Sequence, residues 1–167
     1  MSAFMTSSGR ALRPPPAVLV LASLPHDRSA IARVVRESGY RATEADDPFE
    51  LLGRLWAQPA VARLLLVEVG LPAMDGGEVA ERARDLAPGL RTVLLSSDPD
   101  GADAELIRAY PELPVVVLPF DRSALVAVLR AALGRSQAAA SGGERRRSHR
   151  GSGRAGPAGE IAGPGRT

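Results

Sequence analysis

The sequence predicts an α/β fold in three layers, a doubly wound parallel sheet built as (βα)5, and three observations carry that reading. Between Ala17 and Gly134, five short aliphatic runs alternate with amphipathic stretches of helical period. Four of the five runs are apolar nearly throughout, as strands covered on both faces are. Turn and cap residues stand at the joins, without a long interruption. Strand, helix and strand repeated in this way, with right-handed crossovers, give helices on both faces of one sheet.

The first strand is Ala17-Val18-Leu19-Val20-Leu21, followed by a helix with Ile31, Val34 and Val35 on one side and Gly39 at its end. Tyr40 to Ala45 alternates polar and apolar residues and reads as an edge strand. The second helix opens on Asp47-Pro48-Phe49-Glu50, an Asp three residues before a Glu, the capping-box arrangement that satisfies orphan amides. Phe49, Leu52 and Trp56 are its expected core stripe. Arg63 to Val67 is the third strand, and Asp75-Gly76-Gly77-Glu78 caps a third helix with Val79, Ala83 and Leu86 inward and Gly89 beyond its end. Thr92 to Leu95 is the fourth strand, and Ala102, Leu106 and Tyr110 are spaced for a fourth helix. Val115 to Val117 is the fifth strand, and Leu125, Val128, Leu129 and Ala132 mark a fifth helix that Gly134 should stop.

At 167 residues the chain has room for one domain, placed at residues 17–134. Residues 1–16 and 135–167 are expected to be a disordered arm and a disordered tail, the latter with Ile161 as its only large aliphatic side chain. All 21 basic residues are arginine. The domain carries twelve of them against seventeen acidic residues, and the tail seven against two, so an acidic body has basic ends. With no cysteine, disulfides and thiolate metal sites are excluded. Neither a signal peptide nor a stretch of membrane-spanning length is seen, and a cytoplasmic protein without membrane contact is expected.

The run Leu71-Pro72-Ala73-Met74-Asp75-Gly76, between the third strand and third helix, resembles the Leu-Pro-x-Met-Asp-Gly signature of the receiver domain of bacterial response regulators, the CheY-like family. Val117-Leu118-Pro119-Phe120-Asp121 is similar to that family's Lys-Pro-Phe-Asp with a cis-proline, which makes Pro119 the candidate, and Gly39-Tyr40 enters the second strand as in the family. The resemblance spans residues 17–134 and implies the flavodoxin-like strand order 2-1-3-4-5, with the working crevice at the carboxyl ends of the strands. It implies two acidic residues after strand 1 and an aspartate ending strand 3 that hold Mg²⁺, the last accepting a phosphoryl group from a histidine kinase. A hydroxyl after strand 4 and a lysine after strand 5 would bind the phosphoryl oxygens.

Carried onto this chain, the acidic pair falls on Ala22 and Ser23, the phosphoacceptor on Glu68, the hydroxyl on Ser96 and the lysine on Leu118. Only Ser96 keeps the family's residue type, and Val115 stands where an aromatic usually reports activation. One glutamate is a poor Mg²⁺ site, because the ion asks for near-octahedral oxygen ligands. A leucine cannot neutralise charge developing on a transferring phosphoryl group. Loss of Mg²⁺ binding and of phosphorylation is therefore expected, leaving no catalytic residue and a domain that signals by binding. Two readings of Glu68 stand together: its longer side chain reaches Ser96 and imitates the phosphorylated state, or it is a solvent-facing carboxylate at a strand end.

Asp75 reads as a helix cap, and Asp46, Asp47, Asp98 and Asp100 read as turn or cap residues beside Pro48 and Pro99. His26 and His149 have no partner spacing for a metal or a relay, and Gly76-Gly77 is not a phosphate-cradling loop. The resemblance places a protein-binding face, for a kinase or output protein or for a homodimer, on helix 4, strand 5 and helix 5, roughly Ala102 to Tyr110 and Val115 to Leu133. A functional phosphoacceptor is the alternative function. A third is nucleic-acid binding by Arg145-Arg146-Arg147-Ser148-His149-Arg150 and Arg154, weakened by the lack of aromatics for base stacking.

Overall fold

The computed structural model describes residues 15–142, and the side chains of residues 15–134. Its elements alternate strictly: β1 (Ala17–Leu21), α1 (Pro25–Glu37), β2 (Arg41–Ala45), α2 (Pro48–Ala57), β3 (Leu64–Glu68), α3 (Gly76–Leu86), β4 (Arg91–Ser96), α4 (Ala104–Ala109), β5 (Val115–Val117) and α5 (Arg122–Gly142). The strands form one parallel sheet in the order β2-β1-β3-β4-β5, as expected.

Burial divides the core by strand parity. Leu19, Leu21, Leu65, Val67 and Leu94 point to the face covered by α2 and α3, with Leu51, Leu55, Val79 and Ala83. Val18, Val20, Leu64, Leu66, Val93 and Leu95 point to the other, under Ile31 and Val35 of α1 and Leu125 and Leu129 of α5. Period-two side chains on strands that are apolar at every position thus fill two cores at once. Gly39 follows α1 at φ +88°, a conformation that glycine adopts without a Cβ penalty.

Several expectations are corrected. On α2 the core side is Pro48, Leu51 and Leu55, while Phe49 and Trp56 are exposed and Leu52 is half-buried. Two apolar stripes of the same period run along this helix, and the sheet takes the aliphatic one. Helix α4 begins at Ala104, which is buried, and Ala102 is an exposed turn residue. Strand β5 is an edge with Val117 half exposed, not a strand covered on both faces. Gly134 does not end α5, which continues to Gly142 through Ser136-Gln137-Ala138-Ala139-Ala140. Good helix formers on both sides offset the roughly 1 kcal/mol that an interior glycine costs. Pro15 and Pro16, assigned to the arm, join the sheet edge: Arg41 Nε donates to the Pro15 carbonyl and Arg41 N to that of Pro16. The remaining arm, residues 1–14, and the tail 143–167, with Arg145 to Arg150 and Arg154, lie outside the described residues. Among the described residues no helix is long and apolar enough to cross a membrane.

The N-cap assignments hold. Asp47 accepts from Phe49 N at 2.7 Å and Asp75 from Glu78 N at 2.8 Å. The reciprocal half of each box is not made, because Glu50 and Glu78 reach forward to Arg54 and Arg82 at i,i+4 instead.

In dilute solution Leu55→Ala should lower stability by about 2–5 kcal/mol and Trp56→Ala by no more than about 0.5 kcal/mol, read from urea unfolding. Acid should destabilise the fold through Glu44, whose carboxyl Arg36 holds below its ordinary 4.5, with help from Ser29 and Arg28. A depressed folded pKa contributes stability above pH 4.5 that is lost as pH falls through the lower folded value. Glu44→Gln should therefore be less stable than wild type at neutral pH, and the two urea midpoints should converge as pH falls below the ordinary 4.5 of the carboxyl.

Candidate functional site

The parallel register brings the strand ends together. Leu21 pairs with Val67, so Ala22 and Ser23 leave β1 beside Glu68 at the tip of β3. Glu68 in turn pairs with Leu95, and Ser96 with Val117, which sets Ser96 and Leu118 along the same rim. The five positions singled out in the sequence thus lie along one rim, at the carboxyl ends of β1, β3, β4 and β5. Gly76 lets α3 start against it, since a Cβ there would collide with the Glu68 carbonyl.

Within the rim, the polar groups are engaged with one another. Glu68 Oε2 accepts from the Ser23 amide at 2.6 Å and from the Ser23 hydroxyl at 2.7 Å. Ser96 is fully buried and donates to Asp103 Oδ2 at 2.6 Å, while its oxygen accepts from Asp98 N at 3.2 Å. The contact between Glu68 and Ser96 that phosphate imitation requires is not made: Ser23 offers Glu68 two donors, and Asp103 takes the Ser96 proton. A Cβ on Gly70 would stand 3.6 Å from the other Asp103 carboxylate oxygen, an ordinary contact distance, so the β4–α4 and β3–α3 loops lie side by side.

Arg28, in the first turn of α1, lies against the β1 end of the rim. Its side chain is 12% exposed; Nη1 donates to the Ala22 carbonyl at 2.7 Å and Nη2 stands 4.0 Å from Asp46 Oδ2. Leu118 is buried with the apolar core under α1 and α5, its amide donating to the Ser96 carbonyl at 2.7 Å. The Leu118–Pro119 bond is cis, as expected, and Asp121 caps α5 by accepting from Ala124 N and the Ser123 hydroxyl, which pull its carboxyl below the ordinary range.

Asp98 accepts from Ala102 N, a turn role as expected, and His26 is paired with its neighbour Asp27 at the surface. Among the described residues no three His, Cys, Asp or Glu side chains gather as a metal site. A cavity of about 330 Å³ opens at the opposite end of β4, lined in part by Glu81, Arg84, Arg91, Tyr110 and Glu112, and includes none of the rim positions. Burial and nearby Glu81 and Asp75 push the Tyr110 phenol up. Arg28 and Asp103 went unnoticed in the sequence. Neither carries a local signal, because each meets the rim through the fold.

No family model matches the sequence. Over 69 residues it is 30% identical to the response regulator receiver protein CpdR of Brucella abortus, a stretch covering 41% of this chain and 56% of that protein. The chain therefore matches little more than half the length of that relative. In structure it is similar to the signal receiver domain of an HD domain-containing protein from Pseudomonas fluorescens, at 24% identity, covering 74% of this chain and 98% of the other, with TM-score 0.65. It is similar also to chemotaxis protein CheY4 of Vibrio cholerae (21% identity, 71% and 98% covered, TM-score 0.61). A third likeness is to the receiver domain of sensor histidine kinase PA1611 from Pseudomonas aeruginosa, which holds a magnesium ion in its active site cleft (22% identity, 72% and 98% covered, TM-score 0.64). The receiver fold is common to all three.

Asp103→Ala should cost about 1–3 kcal/mol by stranding the buried Ser96 hydroxyl, more than the roughly 0.5–1.5 kcal/mol expected for Ser23→Ala at the exposed rim. Adding Ser96→Ala to Asp103→Ala should recover part of the loss, a coupling that a double-mutant cycle on urea unfolding measures.

Proposed function

We propose that this chain, whose fold is that of response regulator receiver domains and whose sequence is similar to one of them, serves two-component signal transduction as a receiver that takes up no phosphoryl group and acts by binding a protein partner. One observation carries the reading: the polar side chains at the five positions are engaged in the chain's own contacts. Glu68 is held by Ser23, Ser96 by Asp103, and Leu118 belongs to the apolar core.

The donor set does not suit Mg²⁺. The ion takes one or two carboxylates with several waters in tight octahedral geometry. Here a single carboxylate already accepts two hydrogen bonds, Ala22 offers only a carbonyl, and that carbonyl faces the Arg28 guanidinium. A fixed cation beside the metal position disfavours a second one by Coulomb repulsion. On the phosphoryl side, the Ser96 hydroxyl has its donor turned to Asp103, whose negative charge would repel an incoming phosphate.

The same contacts make Glu68 a fastener of the rim rather than an imitation of phosphate, since it pulls towards β1 and not towards Ser96. A domain with a locked rim presents one arrangement of α4, β5 and α5, and the partner reads that arrangement; on this face Val117 is half exposed at the sheet edge.

Incubation with acetyl phosphate and Mg²⁺, followed by intact-mass spectrometry, tests the reading, with a receiver carrying the full residue set as positive control. No mass gain is expected on this chain. A phosphoryl adduct stable to acid and labile to base would refute it.

A further inference from the structure

Strand β5 first pairs at Leu94, so Arg91, Thr92 and Val93 of β4 have no strand on that side. The ladder shows which of them is left open. Arg91 N donates to the Arg63 carbonyl and Val69 N to that of Leu95, so the odd-numbered residues of β4 bond to β3. Leu94 N donates to the Pro114 carbonyl and Leu118 N to that of Ser96, so the even-numbered ones bond to β5. Thr92 is even and lies before the start of β5. One step down the same ladder its carbonyl would accept from the N–H of residue 114, a proline that has none, and its amide would donate to the Glu112 carbonyl. No such bond is made among the described residues, where the chain instead closes a turn from Leu113 N to the Tyr110 carbonyl. A half-buried strand residue thus keeps an N–H and a C=O unpaired side by side.

The cavity of about 330 Å³ lies at this place, and its walls come from both faces of the sheet: Ala80, Arg84 and Tyr110 on the side of α3, Arg91 and Ala132 on the side of α5, with Thr92 between them. It therefore straddles the sheet edge in line with β5, in the space that a longer β5 would fill. Arg91 Nη1 donates to the Ala132 carbonyl and closes the α5 side. Unpaired strand groups of this kind are a template for an added chain, since one residue of an antiparallel neighbour matches both at once. The outer edge of β5 is a poorer template, being three residues long and bracketed by Pro114 and Pro119.

Side chains on the walls set the chemistry of the added residue. Opposite Thr92 it points to the face of Leu94, under α3. Arg84 stands there without an ion pair among the described residues, whereas Glu81 is engaged with the Tyr110 phenol. Its two neighbours point to the other face, towards Val93 and Ala132, and suit apolar side chains.

We propose that the edge of β4 at Thr92 is a strand-addition site for an extended peptide segment of a partner protein, with a carboxylate side chain at the residue opposite Thr92. The site lies at the other end of the sheet from the rim and does not depend on how the rim works.

Titrating the isotope-labelled full chain with the probe acetyl-Val-Glu-Val-amide, followed by NMR of its backbone amides, tests this. The largest shifts are expected at Thr92 and its neighbours, with the Thr92 amide moving downfield as it gains an acceptor. Methylating the glutamate nitrogen of the probe removes the donor to the Thr92 carbonyl and should weaken binding about fivefold, the effect of one hydrogen bond. Lysine in place of the probe's glutamate should weaken binding about threefold, and Arg84→Glu should reverse that preference, a reversal that also shows the variant to be folded. The proposal is overturned by an unmoved Thr92 amide up to the solubility of the probe, or by a methylated probe that binds as well as its parent. Acetate alone giving the same shifts would overturn it too, as the mark of a carboxylate site without strand pairing. So would a Thr92 amide that, in the free chain, is already as protected from exchange as that of Leu94, which would mean that the chain's own residues fill the edge.

Discussion

The hydrogen bonds from Ser23 to Glu68 join β1 to β3 at the point where the two central strands leave the sheet. They form because the strands beneath them cannot shift. Val18, Val20, Leu64 and Leu66 are wholly buried on one face, and a slip of one residue would turn every one of them to the other. Register fixed by the core therefore decides which residues meet on the rim, and chemistry there is a consequence of packing below. The same holds one strand further on, where Ser96 emerges fully buried and finds Asp103 as its acceptor.

A rim whose donors and acceptors are matched internally differs in kind from one held ready for a ligand. Polar groups prepared for an ion or a phosphate are stabilised only when it arrives, and before that they repel or are solvated. In this chain both carboxylates at the rim already receive hydrogen bonds, a guanidinium lies over the Ala22 carbonyl, and no buried side-chain nitrogen or oxygen among the described residues lacks a partner. Hydrogen bonds of this kind rigidify the groups that share them.

Much of this was legible in the sequence. The strands could be read because a strand buried on both faces is aliphatic at successive positions, a pattern that an amphipathic helix does not produce. The rim positions followed from the motif around Leu71 to Gly76 together with the end of β5. Periodicity, however, gives the spacing of a stripe and not its phase. On α2, Phe49-Leu52-Trp56 and Pro48-Leu51-Leu55 have helical spacing alike, and only packing against Leu65 and Val67 selects the second. The exposed end of β5 has the same origin, since Val117 is apolar whether or not a further strand covers it. Arg28 and Asp103 were beyond reach for another reason: their partners, Ala22 and Ser96, are six and seven residues away through turns whose shape the local sequence does not reveal.

Asp103 has a second effect, on the helix it precedes. Its side chain is occupied by Ser96, so α4 starts without a side-chain cap, and in six residues it fully buries only Ala104. Leu106 and Ile107 are only partly buried against the core, so the hydrogen bond from Ser96 to Asp103 adds substantially to the attachment of so short a helix. Local opening of the native protein should begin there, with the α4 amides exchanging with solvent well before those of β1 and β3, so that the shortest helix is also the segment that breathes most readily.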